Sequence, residues 1–581
     1  MHYWKEETLA RFLALPDVES GQVMFQMATY LGAFPFASQA PCILTIEAML
    51  KVVVIMTERY GRVLKKGKAD RDKLLFRSLA VFDRRMSLVA AERPSLSEIK
   101  KEDLEKPTHV LGFDIDDAKN DEEEEEDDDE LALAALESLD AIEVFKHDQR
   151  GDTKIHHAQI PVDNFRRLIM LLIVIAPLEA QESLSRHAAR LTESRIDGLR
   201  KVADCILWSF THEQSPGIFY HSFNTIIPAS LPYLFDGLNP LFEHFLFSKN
   251  LDLSRHRRKS SAAASVSSPP LQSPTSPMSP KSPTSPNPSN SLLSPELPPE
   301  PLIPREGDIL DLNMLSQLAF FLKGSNVFHR LQPLYLGAEA GFSMGSIEHK
   351  VFNWQAPSIL LVSGTRLSSD AEGARERSLA EALPPKRFAD STKGNSDSNR
   401  VVYGVYLDTP WKHTHKEAAG GPGCLLFQLD PIHEVFRPSA LSKDYFTFTK
   451  SGITFGSPPP RARSISGLES GHTVLGAVSL TLDEGLEFGV FNHDNSGGGS
   501  FHPSAVRRQD WQDRFEIESL EIWGVGGSEE AERQRKAWEF EEREAAARKH
   551  IRRGKDIESD RALLEMAGLV GNHNASGGSM G

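Results

Sequence analysis

Apolar residues in the first 110 positions recur at helical spacing. Members of each group lie one, three or four positions apart: Leu9, Phe12 and Leu13, then Met24, Met27, Ala28 and Leu31. Residues 43–60 continue this pattern over a broad apolar face, and proline and glycine separate the groups. Such periodicity is typical of amphipathic helices that bury one face, so we expect several helices joined by turns.

Helical spacing returns at Leu131 and continues to about residue 250, with many aromatic residues after position 208. The most apolar run, residues 168–176, has nine residues, whereas a membrane span needs about twenty. We therefore predict a buried core helix there, with aromatic packing around it. Residues 1–250 are predicted to form an all-α N-terminal domain.

One polar insert interrupts that domain. Residues 114–130 include ten consecutive acidic side chains at positions 121–130. Ten like charges repel one another and cannot be buried together, so the insert is predicted to be disordered. Two interpretations stay open: a solubilising insert, or a docking tail for a basic partner.

Residues 251–304 are predicted to form a disordered linker, because proline removes backbone donors and few apolar residues are available to bury. The Ser-Pro units within it begin at Ser268, Ser273, Ser276, Ser279, Ser282, Ser285 and Ser294. Regulated phosphorylation by a proline-directed kinase and a plain spacer are both compatible with this pattern. The basic cluster at 255–259 could contact anionic lipid, direct nuclear import or do neither.

The C-terminal half has a different pattern, with an amphipathic helix predicted over residues 310–322 and many short apolar runs after it. The runs predicted as strands are 334–336, 359–362, 401–406, 424–429, 434–437, 446–449, 453–455, 479–482, 488–490 and 517–523. Short strands separated by turns predict an α+β domain over residues 305–527, with a β-sandwich core and flanking helices.

Polar insertions are predicted within this domain at 366–400 and 457–472. Residues 528–570 are predicted to form a charged C-terminal helix, because opposite charges alternate at helical spacing. Residues 571–581 are predicted to be a disordered tail.

Several motifs in this half occur in the order found in the TLDc family. They are Leu334-Tyr335 with Gly341-Phe342-Ser343, residues 357–362, 402–406 (VYGVY) with Pro410-Trp411, 424–429 (CLLFQL), 444–446 (DYF), 453–456 (ITFG), 480–483 (LTLD), and 515–524 (FEIESLEIWG). Each motif is weak by itself, but together they make a specific match. The C-terminal half therefore resembles a TLDc domain.

The resemblance implies a non-catalytic interaction protein, because TLDc members have no established catalytic residue. They are described as protective against oxidative stress, and several are thought to bind the vacuolar proton pump, the V-ATPase. The expected partners are the pump's peripheral subunits, and the expected location is the cytoplasm, with the vacuole surface reached through a partner. The N-terminal half and the linker are similar to fungal TLDc proteins whose label refers to telomere capping, so a chromatin-associated telomere factor is one alternative.

A second alternative is a serine hydrolase. Gly341 to Gly345 form a literal G-x-S-x-G, in which the glycines permit a tight turn that exposes Ser343. A hydrolase also needs a base and an acid along a parallel sheet, and the runs that follow show no βα alternation. Capping of the next helix by Ser343 is the competing prediction.

Other candidate sites are weak. His413 and His415 flank one residue, with Glu417 nearby, but a metal site needs further ligands. The pair at 156–157 and the calcium-like loop at 148–155 are weaker still. Residues 495–500 (NSGGGS) lack the following G-K-[ST] of a phosphate loop, so a flexible hairpin connection is predicted. No catalytic, cofactor or metal site is therefore predicted.

Composition further restricts the classes of protein to which this chain can belong. The chain has 581 residues, a net charge of −16 and a pI near 5.7, so direct nucleic-acid binding is not expected. Its three cysteines, Cys42, Cys205 and Cys424, lie far apart, which predicts a reducing compartment and buried thiols. No signal peptide is predicted, and His2 stands where a myristoylation signal needs glycine. Among aromatic residues, Trp411 and Trp523 are the candidate partner contacts, and of the two Trp523 is rather expected in the core.

Overall fold

The computed structural model describes residues 3–82, 158–246, 301–553 and 566, with short gaps at 17, 62, 65–66, 180–181, 212–216, 324–326, 368–372, 392–398, 415–416 and 459–473. The acidic insert, most of the Ser-Pro segment, the basic cluster at 255–259 and the C-terminal tail lie outside the described residues. So do the calcium-like loop at 148–155, the pair at 156–157 and His415.

The chain divides into two compact units, Met1–Leu302 and Ile303–Gly581. Helices make up most of the described part of the first unit, as the spacing predicts. They are α1 Glu6–Leu13, α2 Gly21–Leu31, α3 Ile46–Met56, α4 Lys68–Leu79, α5 Val162–Ile175, α6 Ser185–Ala188, α7 Glu193–Phe210, α8 Tyr220–Ser230 and α9 Leu238–Glu243.

Aromatic side chains form the centre of this helical unit. The ring of Phe223 on α8 lies 5.3 Å from that of Phe76 on α4 and 6.2 Å from that of Phe165 on α5. Phe165 in turn meets Phe210 of α7 edge-on at 5.3 Å. Four helices therefore share one aromatic cluster, and the buried run on α5 is a core helix, as expected. In the described part of the chain, no helix is both long and apolar enough to cross a membrane.

The prediction that this region is all-α is wrong in one detail. Strands β1 Val81–Phe82, β2 Ala158–Pro161 and β3 Gly217–Phe219 form a small antiparallel sheet. Each strand has two to four residues, which is too short for an alternating pattern to stand out. The strands are also far apart in sequence, so only the tertiary structure brings them together.

The second unit is built on one antiparallel sheet of ten strands, with every predicted strand present at its expected place. They are β4 Leu331–Leu336, β5 Ser358–Arg366, β6 Arg400–Leu407, β7 Leu425–Asp430, β8 Glu434–Phe436, β9 Phe446–Thr449, β10 Gly452–Phe455, β11 Val478–Leu482, β12 Phe488–His493 and β13 Trp511–Val525. Their order is β8-β7-β6-β5-β13-β12-β11-β10-β9, and β4 also pairs with β13.

The two-layer core comes from this one sheet folding over itself. Strands β6 and β12 are separated by two other strands in the sheet order. Even so, the ring of Tyr403 on β6 stacks on that of Phe491 on β12, with centroids 4.4 Å apart. A flat sheet would hold these strands about 14 Å apart, so its two halves must face each other. The predicted sandwich is therefore one continuous sheet rather than two separate ones.

Helices of this unit flank the folded sheet and extend beyond it. They are α10 Leu312–Ala319, α11 Gly337–Ala340, α12 Met344–Val351, α13 Ala374–Ala382 and α14 Ser528–Arg553. Residues of α10 share a second apolar cluster with the outer face of β5, β6 and β7. The buried carboxylate of Glu521 on β13 fastens the segment before α10, because it accepts the N–H groups of Ile309 at 2.7 Å and Leu310 at 3.2 Å.

Candidate functional site

A buried polar network lies between the two halves of the folded sheet, and Asp513 of β13 is its centre. One carboxylate oxygen accepts the Tyr403 hydroxyl at 2.6 Å and the Ser391 hydroxyl at 2.7 Å. The other oxygen accepts the Ser391 backbone N–H at 2.8 Å. Nε of Arg366 on β5 lies 3.3 Å from the first oxygen, and both charged side chains are buried. Such a buried charge is tolerated because it is paired and hydrogen-bonded.

Gln428 of β7 connects this centre to a second ion pair. Its amide nitrogen donates to the Tyr403 hydroxyl at 3.3 Å, and its amide oxygen accepts from Arg507 at 2.7 Å. Arg507 also donates through Nε to buried Glu434 of β8 at 2.8 Å, and the Ser504 hydroxyl donates to the other Glu434 oxygen. The loop between β12 and β13 is thereby fastened to the β7–β8 hairpin.

The same loop packs against a stack of planar side chains. The His493 ring lies parallel to Trp511, with centroids 3.7 Å apart, and the guanidinium carbon of Arg507 lies 4.0 Å from the Trp511 centroid. His493 Nε2 accepts the Ser504 N–H at 2.8 Å, and its Nδ1 lies 3.1 Å from the Gln509 carbonyl. These partners assign the proton to Nδ1. Burial lowers the pKa of His493 to about 4, so the ring is neutral at neutral pH.

The network is arranged for stability rather than for proton transfer. Burial raises the pKa of Tyr403 well above its ordinary value, and the neighbouring Asp513 charge raises it further. The His493 nitrogens face backbone groups instead of a nucleophile. The Ser504 hydroxyl donates to Glu434 and accepts the Arg507 backbone N–H at 2.7 Å. What this arrangement can do is hold two connecting segments in fixed positions on the sheet.

One of those segments contains the Gly-rich stretch 495–500. The sequence predicts a flexible hairpin connection here, but the stretch is anchored at both ends. The Asn495 N–H donates to Asp510 at 2.7 Å, and the carbonyl of buried Ser500 accepts the Ser439 N–H at 2.7 Å. Gly497 and Gly498 have φ values of 71° and 85°, which favour glycine. The glycines permit the turn, while the polar contacts fix it.

Ser343 stands outside this network. It is exposed at the N-cap of α12, where its side chain makes no capping hydrogen bond, so the predicted cap is wrong in that respect. The Tyr335 hydroxyl instead holds the preceding turn by donating to the Gly341 carbonyl at 2.7 Å. Every strand pair described in this unit is antiparallel, whereas a nucleophile elbow belongs to a parallel sheet.

His413, the first histidine of the predicted pair, makes a contact at the surface. His413 Nε2 lies 2.8 Å from Glu348 Oε1 on α12, and its ring meets Phe352 at 5.0 Å. Its predicted companion at position 415 lies outside the described residues. Within the described ranges, no group of three or more histidine, cysteine, aspartate or glutamate side chains is placed to hold a metal ion.

Both tryptophans that the sequence singles out are buried. Trp411 donates its indole N–H to Ser358 at 2.7 Å, so its predicted role as a partner contact is wrong. Trp523 donates to Glu521 at 2.9 Å and belongs to the core, as expected. Trp411 is inaccessible because the loop before β7 folds back over the sheet.

The cysteines differ in their surroundings. Cys424 is buried, and its thiol donates to Asp408 at 3.1 Å. Burial raises the pKa of Cys424 to about 12. Cys42 and Cys205 are partly exposed, so the prediction of full burial is confirmed for Cys424 only.

Sequence comparison assigns a family to this architecture. A TLDc domain profile matches residues 303–526. Restriction of telomere capping protein 5 of Leptosphaeria maculans is 49% identical over the whole chain, which spans 92% of that relative. The proteins of the same name from Colletotrichum graminicola and Neurospora crassa are 48% and 44% identical, again over the whole chain and 91% of each relative. The chain belongs to the restriction of telomere capping protein 5 family.

In this member of the restriction of telomere capping protein 5 family, the buried network is not evident from the sequence. One signal is present, because Gln428 is a polar residue among the apolar residues of β7. A polar residue at an inward position of a strand indicates a buried partner. Ser391 gives no such signal, since it lies within the predicted polar insertion 366–400 and is buried against Asp513 and Arg366.

Proposed function

We propose that the chain is a non-catalytic TLDc interaction protein that contributes to a process influencing telomere capping. The support for the telomere part of this proposal is the name of the relatives, restriction of telomere capping protein 5. The observation that supports the first part is the network around Asp513, whose acid and base groups are engaged in structural hydrogen bonds. Such a network keeps loops rigid, and a rigid surface loses little entropy when it binds a partner.

The proposed partners are the peripheral, cytosolic subunits of the V-ATPase, and the proposed place of action is the cytoplasm or the vacuole surface. A role in oxidative stress resistance is part of the same proposal, as the TLDc resemblance implies. We further propose a helical domain at 1–250, a Ser-Pro linker at 251–304 open to phosphorylation, and a TLDc domain at 305–527. In this arrangement, the linker sets the reach of the domains that it joins.

Affinity purification tests the partner. The full chain with an affinity tag is purified from a fungal lysate, and the captured proteins are quantified by mass spectrometry against the tag alone. Strong enrichment of peripheral V-ATPase subunits supports the proposal, and direct binding to the purified peripheral sector then gives a dissociation constant. Enrichment of telomeric proteins without pump subunits would contradict the V-ATPase proposal and favour the chromatin alternative.

The hydrolase alternative is tested separately with a fluorophosphonate probe for activated serines. The proposal predicts equal, background labelling of the full chain and of the Ser343→Ala variant. Labelling that disappears in Ser343→Ala would overturn the non-catalytic assignment, because only an activated serine reacts in this way.

A further inference from the structure

Helix α3 of the helical unit presents large apolar side chains to solvent. Ile46 and Leu50 are 71% and 58% exposed, and Ile43 just before the helix is 67% exposed. Ile46 and Leu50 are four positions apart on one face of the helix, and together with Ile43, two residues before the N-cap Thr45, they make up the exposed apolar stripe. The Trp4 N–H donates to the Leu44 carbonyl at 2.9 Å, which places the half-exposed Tyr3 beside the start of this stripe. Neighbouring exposed apolar side chains of this kind make the face a candidate interaction surface.

Charged residues flank the stripe on one side only. Glu47 and Lys51 are both exposed and lie one helical turn apart. The opposite flank of α3 turns into the core, where Met49 and Val53 are buried. The face therefore consists of an apolar stripe and, beside it, one negative and one positive charge in sequence. A lipid surface would favour cations along this edge, whereas another helix can match charges of both signs.

This face is complementary to itself. Consider two α3 helices that run antiparallel about a twofold axis perpendicular to both. The axis places the charged flanks of both helices on the same side of the pair. If it passes midway between residues 46 and 51, Ile46 lies one residue, about 1.5 Å along the helix, from the level of Leu50 of the second copy, and Glu47 lies equally close to the level of Lys51 of the second copy. Each apolar contact and each ion pair then occurs twice, as in any isologous interface.

We propose that the chain forms a twofold dimer through antiparallel pairing of α3, with the stripe Ile43, Ile46 and Leu50 at its centre. The occupant of this face is thus a second copy of the chain. A helix pair of this length buries less than the roughly 1,200 Å² of a standard interface, so the dimer is weak. Its dissociation constant is expected in the micromolar range.

Sedimentation velocity on the full chain, over a concentration series spanning the micromolar range, tests the dimer. The chain without substitutions is expected to shift from monomer to dimer as its concentration rises. Ile46→Asp places a carboxylate in the apolar centre and should weaken the dimer by about tenfold or more. Leu441→Asp is the matched control, because Leu441 is just as exposed but lies in the other unit. It should leave the dissociation constant unchanged.

Charge reversal identifies the occupant. Lys51→Glu sets two like charges against each other at both ends of the pair, and Glu47→Lys does the same with the opposite sign. Each single variant is expected to raise the dissociation constant by about fivefold. The double variant Glu47→Lys/Lys51→Glu restores both ion pairs and should return to within about twofold of the original.

Two kinds of outcome overturn the proposal. One is a chain that stays monomeric across the series, as it would if another segment of the same chain or a different protein covered the stripe. The other is a dimer that survives Ile46→Asp, or a double variant that is weaker than either single variant, since both results place the contact elsewhere.

Discussion

Among the described residues, the helical unit and the TLDc unit differ in how they bury charge. In the helical unit, fully buried Arg71 donates to the partly exposed Glu58 at 3.0 Å, and the core contains the aromatic cluster around Phe223. The TLDc unit buries three carboxylates, those of Glu434, Asp513 and Glu521. Each of them links segments that are far apart in sequence. Apolar packing therefore holds neighbouring helices together, while buried charges fix the connections of the folded sheet.

This difference concerns specificity as much as stability. An apolar core tolerates exchange of one apolar side chain for another as long as the side-chain volume is kept, and it loses stability when that volume changes. A buried carboxylate has one acceptable arrangement, because an unpaired charge in the core costs several kcal/mol. The TLDc unit is thus expected to be more sensitive to single polar substitutions, and the helical unit to changes in side-chain volume.

The largest expected effect comes from Asp513→Ala. It removes the buried carboxylate that pairs with Arg366 and accepts the Tyr403 and Ser391 hydroxyls, so the free energy of unfolding should fall by about 3–5 kcal/mol. Peptide-resolved hydrogen exchange should show faster exchange in strands β5, β6 and β13, and little change in helices α5 and α8. Asp513→Asn, which keeps an acceptor oxygen, should lose about half as much. Equal loss of protection in both units would break the comparison.

Acidification should affect the two units in opposite directions. The folded pKa of His493 lies near 4, below its unfolded value near 6.5, so the folded TLDc unit resists protonation. Its stability should fall, by on the order of 2 kcal/mol, as the pH drops from about 6.5 to 4. Burial raises the pKa of Asp72 in the helical unit from 3.8 to about 6. The folded helical unit therefore binds this proton more readily than the unfolded chain does, and its stability should increase over the same fall in pH.

Hydrogen exchange at several pH values, corrected for intrinsic exchange rates, separates these two contributions. His493→Gln should remove the loss assigned to the TLDc unit, and Asp72→Asn should remove the gain assigned to the helical unit. A pH profile that neither variant alters would contradict the assignment of these two groups.

The smallest of these effects is expected for Phe223→Leu in the aromatic cluster of the helical unit. Leucine keeps the site apolar but leaves a small void between α4, α5 and α8, which should cost about 1–2 kcal/mol. Chemical denaturation measures the loss of unfolding free energy, and hydrogen exchange shows whether it is located in these helices. Greater destabilisation of the TLDc strands than of the helices would contradict the comparison, in which apolar packing stabilises the helical unit and buried charges fix the TLDc unit.

Much of the fold could be predicted from local patterns. The strands from β5 to β13 follow from short apolar runs between turns, and helices α2 and α3 follow from apolar spacing. The candidate site could not be predicted in the same way. Ser391, Tyr403 and Asp513 are separated by 12 and 110 positions, and a buried serine in a polar stretch resembles any exposed serine. The exposed stripe on α3 was also hidden, because Ile46 and Leu50 look like core residues in an apolar helix.

The sequence by itself determined the family, the helical and β-rich halves and the places of the strands, because periodicity and motif order are local properties of the chain. Tertiary structure decided which polar residues are buried together and which apolar residues remain exposed. It also decided that one sheet folds over itself so that Tyr403 meets Phe491. These outcomes depend on contacts between distant residues, whose burial follows from the packing of whole elements rather than from the identity of the residue.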